Sequence, residues 1–233
     1  MAELSAVPII ALDVANATAA LELVGRLGER CGYYKVGSEL FTAAGPSVVQ
    51  AIRGMGHRVF LDLKFHDIPN TVRGAVRSAV ELGASMVTVH ASGGRAMLEA
   101  AVEGAGADCH VMGVTILTSL DGGALGEAWG RSGVEVDREV ERLAGLCAAA
   151  GTHGIVCSGH EAALVRARYP SLAPLVPGIR FADGAAHDQA RVVTPGRAVA
   201  AGARYLVLGR AVTGAGDPRG AMERVLGELV AAG

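Results

Sequence analysis

Eight short apolar runs recur along the chain, separated by longer amphipathic stretches. The runs are residues 7–14 (VPIIALDV), 33–40 (YYKVGSEL), 58–65 (RVFLDLKF), 86–91 (MVTVHA), 110–117 (HVMGVTIL), 154–159 (GIVCSG), 172–179 (LAPLVPGI) and 205–212 (YLVLGRAV). Most are near-continuous in Val, Ile and Leu, the pattern of parallel strands covered on both faces. The stretches between them carry helix punctuation. Asn70 precedes a helical pattern that Gly83 can end, and Thr194-Pro195 and Asp217-Pro218 each read as an N-cap followed by proline at the first helical position. Eight strand–helix units in a chain of 233 residues predict a single-domain (β/α)8 TIM barrel over residues 1–233. A doubly wound sheet is the rival, but DVANAT follows the first run where that fold usually carries a glycine-rich turn.

Composition narrows the partners. The formal net charge is −2 and no basic block occurs, so neither a nucleic-acid groove nor an anionic membrane surface is expected. Any anionic ligand must be held by local charges. No apolar run approaches the roughly 20 residues of a membrane span. The N-terminal segment lacks the basic and apolar regions of a secretory leader. The four cysteines, Cys31, Cys109, Cys147 and Cys157, form no C-x-x-C pair and have no zinc-like spacing to histidine. Buried, inert thiols in a reducing, cytoplasmic setting are the expectation.

In a barrel, chemistry gathers at the C-terminal ends of the strands. Asp13 stands at the end of the first run, Lys35 within the second, and Asp62 and Lys64 within the third, with Asp67 just beyond. Asp62 and Lys64 are two residues apart, so both leave the same strand face. Isolated buried ions cost several kcal/mol, so charges on an inward face must pair. Lys35 on the neighbouring strand can join them in an alternating network of acids and amines. His90 ends the fourth run and suits either an acid–base group or a packed support.

The loops after strands seven and eight are where barrels commonly bind phosphate. They read Pro177-Gly178-Ile179-Arg180 and Gly209-Arg210 here. Glycine lets backbone N–H groups approach an anion, and arginine supplies a bidentate fork. The small, polar stretch 181–191 suits a lid, with Gln189 and Arg191 as its working groups. A second excursion, 117–134, opens on Thr118 and Ser119, short donors and acceptors fit to read the amide edges of a base. Trp129 within it is expected to anchor the excursion by burial rather than to stack on a ligand.

The segment LDLKFHDIPNTV (61–72) resembles the D-x-K-x-x-D-I-P-N-T signature of the orotidine 5′-phosphate decarboxylase family, in its bacterial form. PGIR (177–180), DQARVVTP (188–195) and LGRAVT (208–213) resemble that family's phosphate-binding segments, and Asp13, YKVG (34–37) and LTS (117–119) also fit. The resemblance implies decarboxylation of orotidine 5′-monophosphate to uridine 5′-monophosphate, the last step of de novo pyrimidine synthesis, with no metal and no organic cofactor. It implies Lys64 as proton donor, Asp62, Asp67 and Lys35 in the catalytic array, and Asp13, Lys35, Ile68, Thr71, Thr118, Ser119, Pro177, Arg180, Gln189, Gly209 and Arg210 around the substrate. It also implies a homodimer with Asp67 reaching into the neighbouring subunit's site. The rival reading is a metal-dependent phosphosugar decarboxylase or synthase on the same barrel, since D-x-K-x-x-D also occurs there.

Overall fold

The computed structural model describes residues 4–182 and 193–232. Its eight strands are β1 (Val7–Ala11), β2 (Tyr33–Gly37), β3 (Arg58–Phe65), β4 (Met86–His90), β5 (His110–Val114), β6 (Gly154–Val156), β7 (Ala173–Val176) and β8 (Tyr205–Leu208). All pair in parallel in sequence order, and β8 closes on β1 through Val7↔Tyr205 to Ile10↔Leu208. The fold is thus the expected (β/α)8 barrel.

Alternation along the strands separates two cores. Ile9, Ala11, Tyr33, Phe60, Met86, Met112, Leu175, Tyr205 and Val207 fill the barrel interior. Their neighbours Ile10, Tyr34, Val36, Val59, Leu61, Val87 and Val89 face outward against the helices. Both faces are buried, which is why the runs read as continuous rather than alternating.

Several runs extend past their strands. The second ends as strand at Gly37 and turns into the helix Ser38–Ala44, while the eighth ends at Leu208 ahead of the helix Arg210–Thr213. Leu40 and Val212 in those helices are buried, so apolar character continues past the point where pairing stops. Asp13 and Thr118 therefore lie beyond the ends of β1 and β5, in the loops. Helix caps follow simple chemistry. The side chains of Thr194 and Asp217 accept from Arg197 N and Arg219 N, and Gly83 leaves the helix Pro69–Glu81 with a φ of 88°. That helix starts before Asn70, with Ile68 as N-cap and Pro69 in the first turn. Proline's fixed φ and missing N–H suit that position.

Candidate active site

A cavity of about 430 Å3 opens at the C-terminal end of the barrel. Asp13, Lys35, Asp62 and Lys64 line one side, and Pro177, Gly178, Arg180, Gly209 and Arg210 line the other. Val114, Ile116, Val156, Leu175 and Val207 form apolar wall between them.

The charged side is a chain of ion pairs. Lys35 Nζ stands 2.8 Å from Asp13 Oδ1 and 3.5 Å from Asp62 Oδ2, and Lys64 Nζ stands 2.9 Å from Asp62 Oδ1. Lys35 and Asp62 are buried, whereas the Lys64 side chain keeps about a third of its surface, 36 %, open to the cavity. Burial alone raises the Asp62 carboxyl. Lys35, Lys64 and the Thr88 hydroxyl outweigh it and hold Asp62 below the usual carboxylate range. Room for this cluster depends on Gly37: a Cβ there would lie 3.0 Å from Lys35 Nζ and 3.3 Å from Asp13 Oδ1.

Asp62 and Lys64 share a face as expected, but on a distorted strand. Leu61 pairs with Val87 and Phe65 with Val89, so Asp62, Leu63 and Lys64 stand opposite Thr88 alone. Two extra residues preserve the inward–outward parity that one would have reversed. Lys64 takes up the excess with a φ of 51°, a conformation uncommon for a residue with a Cβ.

The opposite side is an anion cradle in waiting. Arg180 is buried, its Nη1 donates to its neighbour's carbonyl, Ile179 O, at 2.8 Å, and its Nε is buried with no hydrogen-bond partner among the described residues. Burial first, then the like charge of Arg210, depress its pKa. Two guanidiniums lining one cavity and near enough to repel, one with a buried N–H unspent, favour a negative group between them.

The structure does not bring every expected residue here. Asp67, Ile68 and Thr71 are exposed at the start of the helix Pro69–Glu81 and do not line the cavity. Asp67 Oδ1 accepts from Ile68 N at 2.6 Å, and Ile68 is 67 % exposed. Thr118 lines the cavity, whereas the exposed Ser119 does not. Gln189 and Arg191, with most of the expected lid, lie outside the described residues. His90 is half-buried beside His66, ring centroids 5.3 Å apart, and off the cavity wall. Burial, His66 and Lys64 lower its pKa against the opposing pull of Asp62. Trp129 does not anchor its excursion by burial. It is 37 % exposed at the end of the helix Gly122–Trp129, with the Arg131 guanidinium 5.8 Å from its ring. Leu125 does the burying, and Glu139 clamps Arg131 at 3.0 Å.

Sequence reasoning missed Gly37, Thr88 and Thr213, the last of which also lines the cavity, whereas Gly178 lines it as expected. Thr88 had a usable signal: it alternates with inward-facing Met86 on β4. Gly37 had a weaker one, a glycine closing an apolar strand. The cysteines are buried as expected and none forms a disulfide. Burial pushes the thiols of Cys31, Cys109 and Cys147 up to about 11, 12 and 12. Among the described residues no helix is long and apolar enough to cross a membrane.

Comparison with known proteins agrees with this geometry. Residues 7–225 match the model of the Orotidine 5'-phosphate decarboxylase / HUMPS family. A curated orotidine 5'-phosphate decarboxylase of Nitratidesulfovibrio vulgaris (strain DP4) is 49% identical over 240 residues, covering 99% of this chain and 99% of its own. One from Alkalilimnicola ehrlichii is 52% identical over 228 residues, 96% of each chain. Among solved structures, the orotidine 5'-phosphate decarboxylase of Lactobacillus acidophilus superposes with a TM-score of 0.85 at 32% identity, over 96% of this chain and 99% of that one.

Proposed function

The chain belongs to the Orotidine 5'-phosphate decarboxylase / HUMPS family, and we propose that it converts orotidine 5′-monophosphate to uridine 5′-monophosphate and CO2 with its own side chains alone. The observation that carries this reading is the Lys64 ammonium. It is held 2.9 Å from a buried carboxylate at the mouth of a cavity whose far wall is a pair of arginines.

The chemistry needs that arrangement. Breaking the bond from C6 to the carboxylate leaves an electron pair in the plane of the pyrimidine, where the ring π system takes it up poorly. A fixed cation beside C6 stabilises the developing carbanion in a site of low dielectric. Lys64 is that cation, and it then transfers one ammonium proton to C6. CO2 departs, and solvent returns a proton to the amine. Asp62 pairs with Lys64 and aims it. Lys35 and Asp13 bind the ribose hydroxyls and brace Asp62 from behind. Thr118 reads the base edge. Arg180, Arg210, Gly209 and Gln189 grip the phosphate, and binding energy at that remote group assists the reacting centre.

The active unit in this reading is a homodimer in the cytoplasm. Asp67 faces solvent beside a largely exposed isoleucine, Ile68, which supports its serving a neighbouring copy's site, with Thr71 in the first turn of the helix that follows. Buried cysteines without disulfides fit a reducing compartment.

The test mixes the purified chain with orotidine 5′-monophosphate in excess EDTA and follows the orotate ultraviolet absorbance, with Lys64→Ala alongside. Rapid loss in the parent, uridine 5′-monophosphate as product, and a fall of at least roughly 100-fold in the variant are expected. No turnover in the parent until Mg2+ is restored, or turnover only of phosphosugars, sinks the reading in favour of the metal-dependent rival.

A further inference from the structure

Thr88 sits on β4, fully buried at 0 % exposure, opposite the bulge of β3. Its hydroxyl makes two contacts. It accepts from the backbone N–H of Lys64 at 2.9 Å and donates to Asp62 Oδ1 at 2.8 Å. The same Asp62 oxygen accepts from Lys64 Nζ at 2.9 Å. The contacts form a closed ring that leaves Lys64 by its backbone and returns by its side chain.

The direction of each bond is forced. A backbone N–H can only donate, so the hydroxyl oxygen must receive it. The single hydroxyl proton is then committed to Asp62, which holds below the usual carboxylate range and accepts it as an anion. One small group therefore satisfies the N–H of a residue whose φ is 51° and aims the carboxylate that pairs with that residue's amine. A buried N–H without a partner is costly, and a left-handed backbone persists where its surroundings over-determine it.

From this ring we infer that Thr88 is a positioning residue for decarboxylation, holding the Lys64 ammonium in register through both the backbone of Lys64 and the carboxylate of Asp62. The inference rests on the functional reading above. Thr88 does not line the cavity, so it acts through Lys64 and Asp62. Their other charged and titratable neighbours are Lys35, at 3.5 Å from Asp62, and His90.

The test compares Thr88→Val, Thr88→Ala and Thr88→Ser with the parent, using kcat and KM for orotidine 5′-monophosphate, the pH profile of kcat, and urea unfolding. Valine preserves the branched shape and removes the hydroxyl, whereas serine keeps it. The Val and Ala variants are expected to fold, to lose roughly 10- to 100-fold in kcat, as for hydrogen bonds to charged groups, and to keep KM within about threefold. Their acid limb should move to higher pH, because Asp62 has lost a donor to its charged form. Thr88→Ser should restore kcat and the acid limb. A kcat in the Val variant within about twofold of the parent, an equal loss in the Ser variant, or an unmoved acid limb overturns the inference. So does failure of both hydroxyl-free variants to fold, which makes the hydroxyl a requirement of the barrel. A parent that turns nothing over defeats the functional reading instead. The ring then still stands or falls on whether the Asp62 carboxyl, followed by carbon NMR, titrates higher in Thr88→Val.

Discussion

Lys64 and Asp62 are two residues apart on one strand and meet at 2.9 Å across a backbone that Lys64 turns to a φ of 51°. A regular strand would carry both side chains outward in parallel from one face. The bulge instead folds the ammonium back onto the carboxylate while leaving it open to the cavity. The ion pair is thus set by backbone geometry as much as by attraction, which keeps the amine from wandering on its four-carbon stem.

Asp62→Asn should weaken both fold and turnover. It leaves Lys35 and Lys64 facing each other without the shared anion, at a cost of roughly 3 kcal/mol, the lower end for breaking a buried pair. The pH dependence has a definite sign. Asp62 titrates below its unfolded value, so its stabilisation is present above the ordinary aspartate value of about 3.9 and is lost as pH falls through its lower native one. Urea unfolding from neutral pH downward should show a shallower acid loss in the Asn variant than in the parent.

Arg180→Ala should lower kcat/KM for orotidine 5′-monophosphate by roughly 2–5 kcal/mol, as for one lost partner of a buried charge pair. The nucleoside orotidine, which lacks the phosphate, reports the origin of that loss. Its slow decarboxylation should be unchanged by the substitution. An equal loss on both substrates would assign Arg180 to the fold rather than to phosphate.

The proposed homodimer, with Asp67 serving the neighbouring site, predicts complementation. Lys64→Ala and Asp67→Ala homodimers should each be nearly inactive. Unfolded and refolded together, they should recover about a quarter of parental activity, since random pairing through a two-fold interface leaves one intact site in half of the dimers. No recovery, with mixed dimers shown by mass spectrometry, would confine Asp67 to its own chain.

The base of the barrel carries a separate pH dependence. His110 and His153 stack with centroids 3.5 Å apart, and His153 Nε2 lies 3.1 Å from the Tyr205 hydroxyl. Burial, then His110 and Arg204, hold the His153 imidazole down at about 4. A histidine depressed in the native state stabilises above its unfolded value of about 6.5 and loses that contribution as pH falls toward 4. Stability followed by thermal unfolding should decline across that window, and His153→Phe should flatten the decline.

The barrel was legible because eight runs of Val, Ile and Leu, buried on both faces, carry their own signature. The parity of Asp62 and Lys64 was legible from the period of two, and Arg180 and Arg210 from their places at the ends of the seventh and eighth runs. Strand ends were less so: Gly37 and Leu208 stop pairing, yet Leu40 and Val212 extend the apolar runs because the following helices also bury residues. Trp129 misled, since a large aromatic on a loop excursion need not be buried when smaller residues such as Leu125 do the packing.

By itself the sequence determined which chemical groups reach the mouth of the barrel, since residue order along a parallel strand dictates which end and which face each side chain occupies. Tertiary structure alone decided how those groups act on one another. The two-residue bulge that turns Lys64 back on Asp62 and the Thr88 hydroxyl that bridges them depend on how β3 meets β4, and the space left by Gly37 and the unspent Nε of Arg180 depend on what the closed barrel packs around them. Linear spacing carries the period of a strand, and contacts across strands follow from closing the sheet.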